Sequence, residues 1–147
     1  MKKVTFALSA AFLLAVVLSS CKKYEEGPAL SFRTKDARVV NDWDVKYALE
    51  DGKDKTFLYK DFTINFTEDG RFVATNIASD SSTVEQSGFW DLVDNKEDIR
   101  LIYTDPPIPD DRITYDILKL KEDEFWIREI TDSSTWEWRF IPNGTTE

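Results

Sequence analysis

Histidine is absent from all 147 residues, and cysteine occurs once, at Cys21. Without histidine the chain lacks the commonest general base and the commonest metal ligand. With no second thiol, Ser-His-Asp, Cys-His and ordinary zinc sites are all excluded. No disulfide can form within the chain, so a folded domain has to rest on its apolar core. A 3.6-residue apolar period of helical length is also missing after residue 21. Basic charge is scarce too: 19 Lys and Arg stand against 28 Asp and Glu. Such a balance argues against a nucleic-acid partner, whose phosphates would repel it.

What is present begins with an address. Met1-Lys2-Lys3 is a short basic start, Val4 to Leu18 is apolar apart from Thr5 and Ser9, and small residues lead to Cys21. That order is a secretory signal. As a helix the apolar run spans about 22 Å, short of the ~30 Å bilayer core. Leu18-Ser19-Ser20-Cys21 resembles the bacterial lipoprotein box. The resemblance implies cleavage before Cys21 and acylation there, and more than one acyl chain makes a stable anchor. It further implies residence in the envelope of a Gram-negative bacterium, on the outer membrane. Loss of Lys2 and Lys3 with residues 1–20 takes the net charge from −9 to −11.

Residues 21–37 read as a lipidated flexible tether, polar and broken at Gly27-Pro28. Glu25-Glu26 resembles the acidic surface-export signal of some lipoproteins. The folded domain is expected over 38–142, with 143–147 a C-terminal tail.

From Val39 the period is two. Trp43, Val45, Tyr47 and Leu49 share one face of the first strand. Phe57 to Lys60 is either an early start of the next strand or loop. Phe62, Ile64 and Phe66 lead through Thr67-Glu68-Asp69-Gly70 into Arg71 to Thr75, the clearest hairpin, with Gly70 free to take φ > 0. A fourth strand is expected over Thr83 to Val93, with Gly88, Trp90 and Leu92 on one face. Ile99, Leu101 and Tyr103 make a fifth. Asp105 to Asp110 holds three prolines and reads as a loop. Strand six is Arg112 to Lys121, where the apolar phase slips after Ile117 as at a β-bulge. Phe125-Trp126-Ile127 opens a seventh, and Trp136, Trp138 and Phe140 alternate in an eighth. Successive strands make a meander, and closure removes its edges. The expectation is all-β: an eight-stranded antiparallel up-and-down barrel with no substantial helix after the signal.

Trp43-Asp44-Val45, Phe66 to Phe72, Gly88 to Leu92, Tyr115 to Leu120 and Trp138-Arg139-Phe140 together resemble the small lipocalin-like lipoproteins of Gram-negative bacteria. The family usually opens with Gly-x-Trp, whereas Asn41 stands in the Gly position. It often packs a late Arg on that Trp; Arg139 is the counterpart, on the polar face by its alternation with Trp138. The resemblance implies a barrel holding one small apolar or amphipathic ligand. Candidate lining residues are Trp43, Tyr47, Phe66, Phe72, Trp90, Tyr103, Tyr115 and Trp138, within a wider aromatic set that includes Phe62, Trp136 and Phe140. An eight-stranded barrel is wide enough either to be filled or to hold a ligand, and the bulk of these rings favours filling.

Phe89 and Trp126 fall on the outer faces and offer a stacking or partner platform. Asp91, Asp94, Glu97 and Asp98 lack the spacing of a calcium loop and read as a solvated turn. No catalytic residue, metal or cofactor is expected. The reading is a binding lipoprotein rather than an enzyme. The alternative is an accessory or inhibitor subunit for another envelope protein.

Overall fold

The computed structural model describes residues 33–78, 80–104 and 112–145. The signal, Cys21, most of the tether and the Asp105–Asp110 loop lie outside the described residues.

Thr34 caps a five-residue helix, α1 (Lys35–Val39), its hydroxyl accepting from the Ala37 amide at 3.2 Å. Nine strands follow among the described residues: β1 (Asn41–Glu50), β2 (Lys53–Asp54), β3 (Thr63–Phe66), β4 (Arg71–Ile77), β5 (Thr83–Val93), β6 (Asp98–Tyr103), β7 (Arg112–Leu120), β8 (Phe125–Ile130) and β9 (Thr135–Pro142). From β3 to β9 each strand pairs antiparallel with the next. β1 pairs with β3 through Asn41 to Asp44 and with β9 along most of its length, from Trp43↔Pro142 to Glu50↔Trp136. The result is a closed eight-stranded barrel, with β2 a two-residue flap on the end of β1.

The expected hairpin forms with Phe66 opposite Phe72. It is closed by Thr67 N donating to Arg71 O at 2.9 Å, with Gly70 at φ +80. Gly88 is required by contact: a Cβ there meets the Ile102 carbonyl oxygen at 2.0 Å and the Phe72 ring at 2.8 Å. On the outer face, opposed charges are cross-strand partners, Asp91 with Arg100 and Asp116 with Arg128. The phase slip in β7 is a bulge between Ile117 and Lys119.

Three features differ from the sequence expectation. A second register shift, between Val45 and Tyr47 in β1, turns Tyr47 outward and brings Ala48 inside. Phe57 to Lys60 is neither strand nor plain loop, because Thr56–Leu58 is a 3-10 turn. Residues 35–37, assigned to the tether, belong to α1, which packs on the barrel end.

That end is closed. Val39, Trp43, Phe72 and Phe125 are fully buried. Trp43 Nε1 donates to Val39 O at 2.9 Å, and Arg38 reaches Leu120 O at 2.9 Å. Edge-on and tilted rings fill the space: Trp43–Phe125 at 5.6 Å, Phe66–Trp90 at 5.7 Å and Phe66–Phe125 at 6.1 Å. Such pairs add about 0.5–1.5 kcal/mol each beyond their area. The helix, the β3–β4 hairpin and the Asn143 amide bound to Asp42 O all sit at this end.

Candidate functional site: the open half of the barrel

Packing is not continuous through the barrel. Beyond the ring cluster lies a cavity of about 170 Å³, lined by Tyr59, Phe62, Tyr103, Tyr115, Ile127 and Trp138 among others. Tyr103 ends β6 on the side away from α1, and Tyr115 and Trp138 lie near the middle of β7 and β9. Tyr59 comes from the segment between β1 and β3. Asp51 (φ 49) and Gly52 (φ 75) turn the chain back. Lys55 N then donates to Ala48 O at 2.8 Å, and Ala48 N donates to Thr56 Oγ1 at 3.1 Å. Asp54 caps the 3-10 turn by accepting from Thr56 N at 2.8 Å. These bonds hang Tyr59 over the mouth.

The Tyr59 ring meets Phe62, Trp136 and Trp138 edge-on at 6.0, 6.0 and 6.1 Å. Trp136 and Trp138 stack at 5.6 Å and 14°. Tyr115 meets Trp138 edge-on at 5.8 Å. The chamber is therefore walled by rings, with phenol hydroxyls and an indole N–H as its polar groups. Burial raises the Tyr59 hydroxyl above its ordinary value. A Trp138 hydrogen bond opposes that shift, and the charges of Glu129 and Glu50 add to it. Tyr115 is raised far more strongly, first by burial and then by its neighbours Tyr103 and Glu129. Both phenols stay neutral near pH 7, when they are able to donate to a ligand acceptor.

The expected lining residues divide. Tyr103, Tyr115 and Trp138 meet at the cavity. Trp43, Phe66, Phe72 and Trp90 are inside but packed into the closed half, so they support the site rather than line it. Tyr47 is a correction: it lies on the outer wall, 43% exposed, because of the bulge in β1. Tyr59 was missed. Its only sequence signal is an apolar triplet, Phe57-Leu58-Tyr59, that breaks alternation in the stretch that reads as either an early strand start or loop.

Phe89 and Trp126 lie on the outer faces, as expected, and each ring carries a cation. Trp126 carries the Lys119 ammonium at 4.2 Å and the Arg139 guanidinium at 4.3 Å from its ring centre. Phe89 carries Arg71 at 5.5 Å. A shallow groove of about 400 Å³ runs past Lys46, Tyr47, Trp126 and Arg139. Its cations are already engaged, Arg139 with Glu137 at 2.6 Å and Lys46 over the Tyr47 ring at 5.9 Å. The smaller interior cavity, walled by neutral rings, is the better ligand site. Among the described residues no group of three or more His, Cys, Asp or Glu is placed to hold a metal.

This geometry, a closed antiparallel barrel stoppered at one end and hollow at the other, defines a lipocalin-like barrel. Solved structures share the fold. A lipocalin-like protein from Bacteroides uniformis superposes with a TM-score of 0.57 at 15% identity, covering 71% of this chain and 98% of that one. An uncharacterized protein from Bacteroides eggerthii gives 0.50 at 14%, covering 68% and 97%. No protein-family profile matches the chain, and no curated protein matches it. The likeness is one of fold.

Proposed function

We propose that the chain is a non-enzymatic, envelope-anchored binding protein that holds a small apolar or amphipathic ligand in the open half of its barrel. The observation that carries this reading is the division of the interior: rings packed on one another around the buried Trp43, and a cavity of about 170 Å³ beside Tyr115 and Trp138. A dry apolar cavity of ~150 Å³ holds benzene, so this one takes a single ring or a short aliphatic segment. Anything larger extends past Tyr59 into the mouth. Barrels of this size take one small ligand in their mouths.

Anchoring at Cys21 on the outer membrane of a Gram-negative envelope belongs to the same proposal. It draws on the Leu18-Ser19-Ser20-Cys21 box. The described chain enters the barrel at its closed end through α1. Native mass spectrometry of protein purified from its own envelope tests both parts. The expected spectrum shows a chain starting at an acylated Cys21 with a non-covalent small molecule released on activation. A bare chain starting elsewhere contradicts the anchor, and ligand-free protein contradicts the binding role.

A second reading, an accessory subunit bound to another envelope protein, is favoured by one observation. Phe57, Leu58 and Ile130 are 70%, 52% and 68% exposed at the mouth end. Pull-down from solubilised envelope tests it. A partner lost on Phe57→Ser with Leu58→Ser supports it, and recovery of the bait alone counts against it.

A further inference from the structure

The wall of the interior cavity narrows the ligand class. Nine described residues line it, six aromatic and three aliphatic, and none is Asp, Glu, Lys or Arg. A carboxylate or ammonium group inside would leave water without a partner of opposite sign, a costly transfer. The wall itself feels that penalty, since burial is the leading reason that the Tyr115 hydroxyl holds its proton. A wholly apolar guest avoids the cost but leaves a donor of the wall unused. Tryptophan is a donor only, so in the hydrogen bond between Trp138 and Tyr59 the Tyr59 oxygen accepts. The Tyr59 proton is not spent in that bond. Deeper in the chamber Tyr115 is hydrogen-bonded to Tyr103, in a bond that favours its protonated form. An incoming acceptor therefore meets its readiest donor at Tyr59, at the mouth. The backbone fixes that position: Tyr59 N donates to Thr56 O at 2.9 Å, and Phe62 N donates to Tyr59 O at 3.0 Å. Burial, then Glu129 and Glu50, raise the Tyr59 hydroxyl, so negative charge is disfavoured at the mouth as well.

Size points the same way. An apolar cavity of ~150 Å³ holds benzene, and this one measures about 170 Å³. Among six ring-bearing neighbours, an aromatic guest gains ring–ring contacts beyond its buried area. We propose that the cavity takes an uncharged molecule of one aromatic ring bearing a hydrogen-bond acceptor, with the ring among Tyr103, Tyr115 and Trp138 and the acceptor at the Tyr59 hydroxyl. An aryl ketone, ester or ether has this form, whereas a carboxylate or protonated amine of the same size does not. The inference rests on the ligand-binding reading of the same site, and adds to it a chemical class and a named donor.

Calorimetric titration of the purified protein with acetophenone and three molecules of its size tests the inference. In α-methylstyrene a methylene group replaces the carbonyl oxygen, benzoate carries a negative charge, and protonated 1-phenylethylamine carries a positive one. Acetophenone is expected to bind about two- to tenfold more tightly than α-methylstyrene, the gain from one net hydrogen bond. It is expected to bind about tenfold or more tightly than either ion. Tyr59→Phe is expected to erase the preference for acetophenone over α-methylstyrene while α-methylstyrene still binds, with circular dichroism confirming the fold. Equal or tighter binding of α-methylstyrene, or of either ion, overturns the proposal and leaves the small-ligand reading standing. A preference unchanged in Tyr59→Phe also overturns it. Failure of all four probes to bind folded protein overturns the proposal and the binding reading together.

Discussion

Single residues carry the clearest consequences. Trp43 is fully buried and hydrogen-bonded to Val39, so Trp43→Ala is expected to cost about 3–5 kcal/mol in urea unfolding. Tyr47, its neighbour in the apparent alternation, is on the outer wall; Tyr47→Ser is expected to change stability by less than about 0.5 kcal/mol. A large loss at Tyr47 would return it to the interior. Gly88→Ala places a methyl against a backbone carbonyl that cannot swing aside, and a loss of about 3 kcal/mol or more is expected in the same assay. Tyr115 ties stability to alkaline pH. Its hydroxyl is raised in the folded state above the ordinary 10.0, so the protonated form is the one the fold favours. That contribution is fully present below pH ~10 and is lost as pH rises beyond it, with a slope of about 1.4 kcal/mol per pH unit while only the unfolded state ionises. Thermal melts across pH 9–11 (a range about the ordinary phenol value) are expected to fall less steeply in Tyr115→Phe than in the parent.

At the scale of elements, legibility followed local pattern. The β3–β4 hairpin was readable because Asp69-Gly70 supplies the turn and the alternation resumes in phase on each side. Gly70→Val forces a β-branched residue into φ +80; a cost of about 1–3 kcal/mol is expected, measured by denaturant midpoint. The β7 bulge was readable because apolar residues change parity after Ile117. The β1 bulge was not. Val45, Tyr47 and Leu49 continue the phase of Trp43 without a break, while Ala48 offers an equally apolar inward side chain. What selects the bulge is closure: β1 serves β3 with its first residues and β9 with the rest, a requirement that no local window contains. The segment from Asp51 to Phe62 escaped for a similar reason. Its 3-10 turn is held by bonds to Ala48 on the adjacent strand, and Tyr59 gains its role only against Trp136 and Trp138. α1 is too short, at five residues, to leave a periodic trace. The candidate site was thus half legible. Inward aromatics were identified by alternation, but the line between filled and hollow halves depends on how rings from distant strands pack.

For the whole molecule the account is of a barrel with two unlike ends. The closed end collects α1, the β3–β4 hairpin and the large rings, and stabilises the fold. The open end collects Tyr59 and the stacked tryptophans, and leaves space. Xenon pressurisation of crystals tests that division most directly, since xenon enters apolar space that packing leaves empty. The account predicts xenon among Tyr103, Tyr115 and Trp138 in the open half and none among Trp43, Phe66 and Phe125. Xenon absent from the open half, or bound within the closed one, contradicts it.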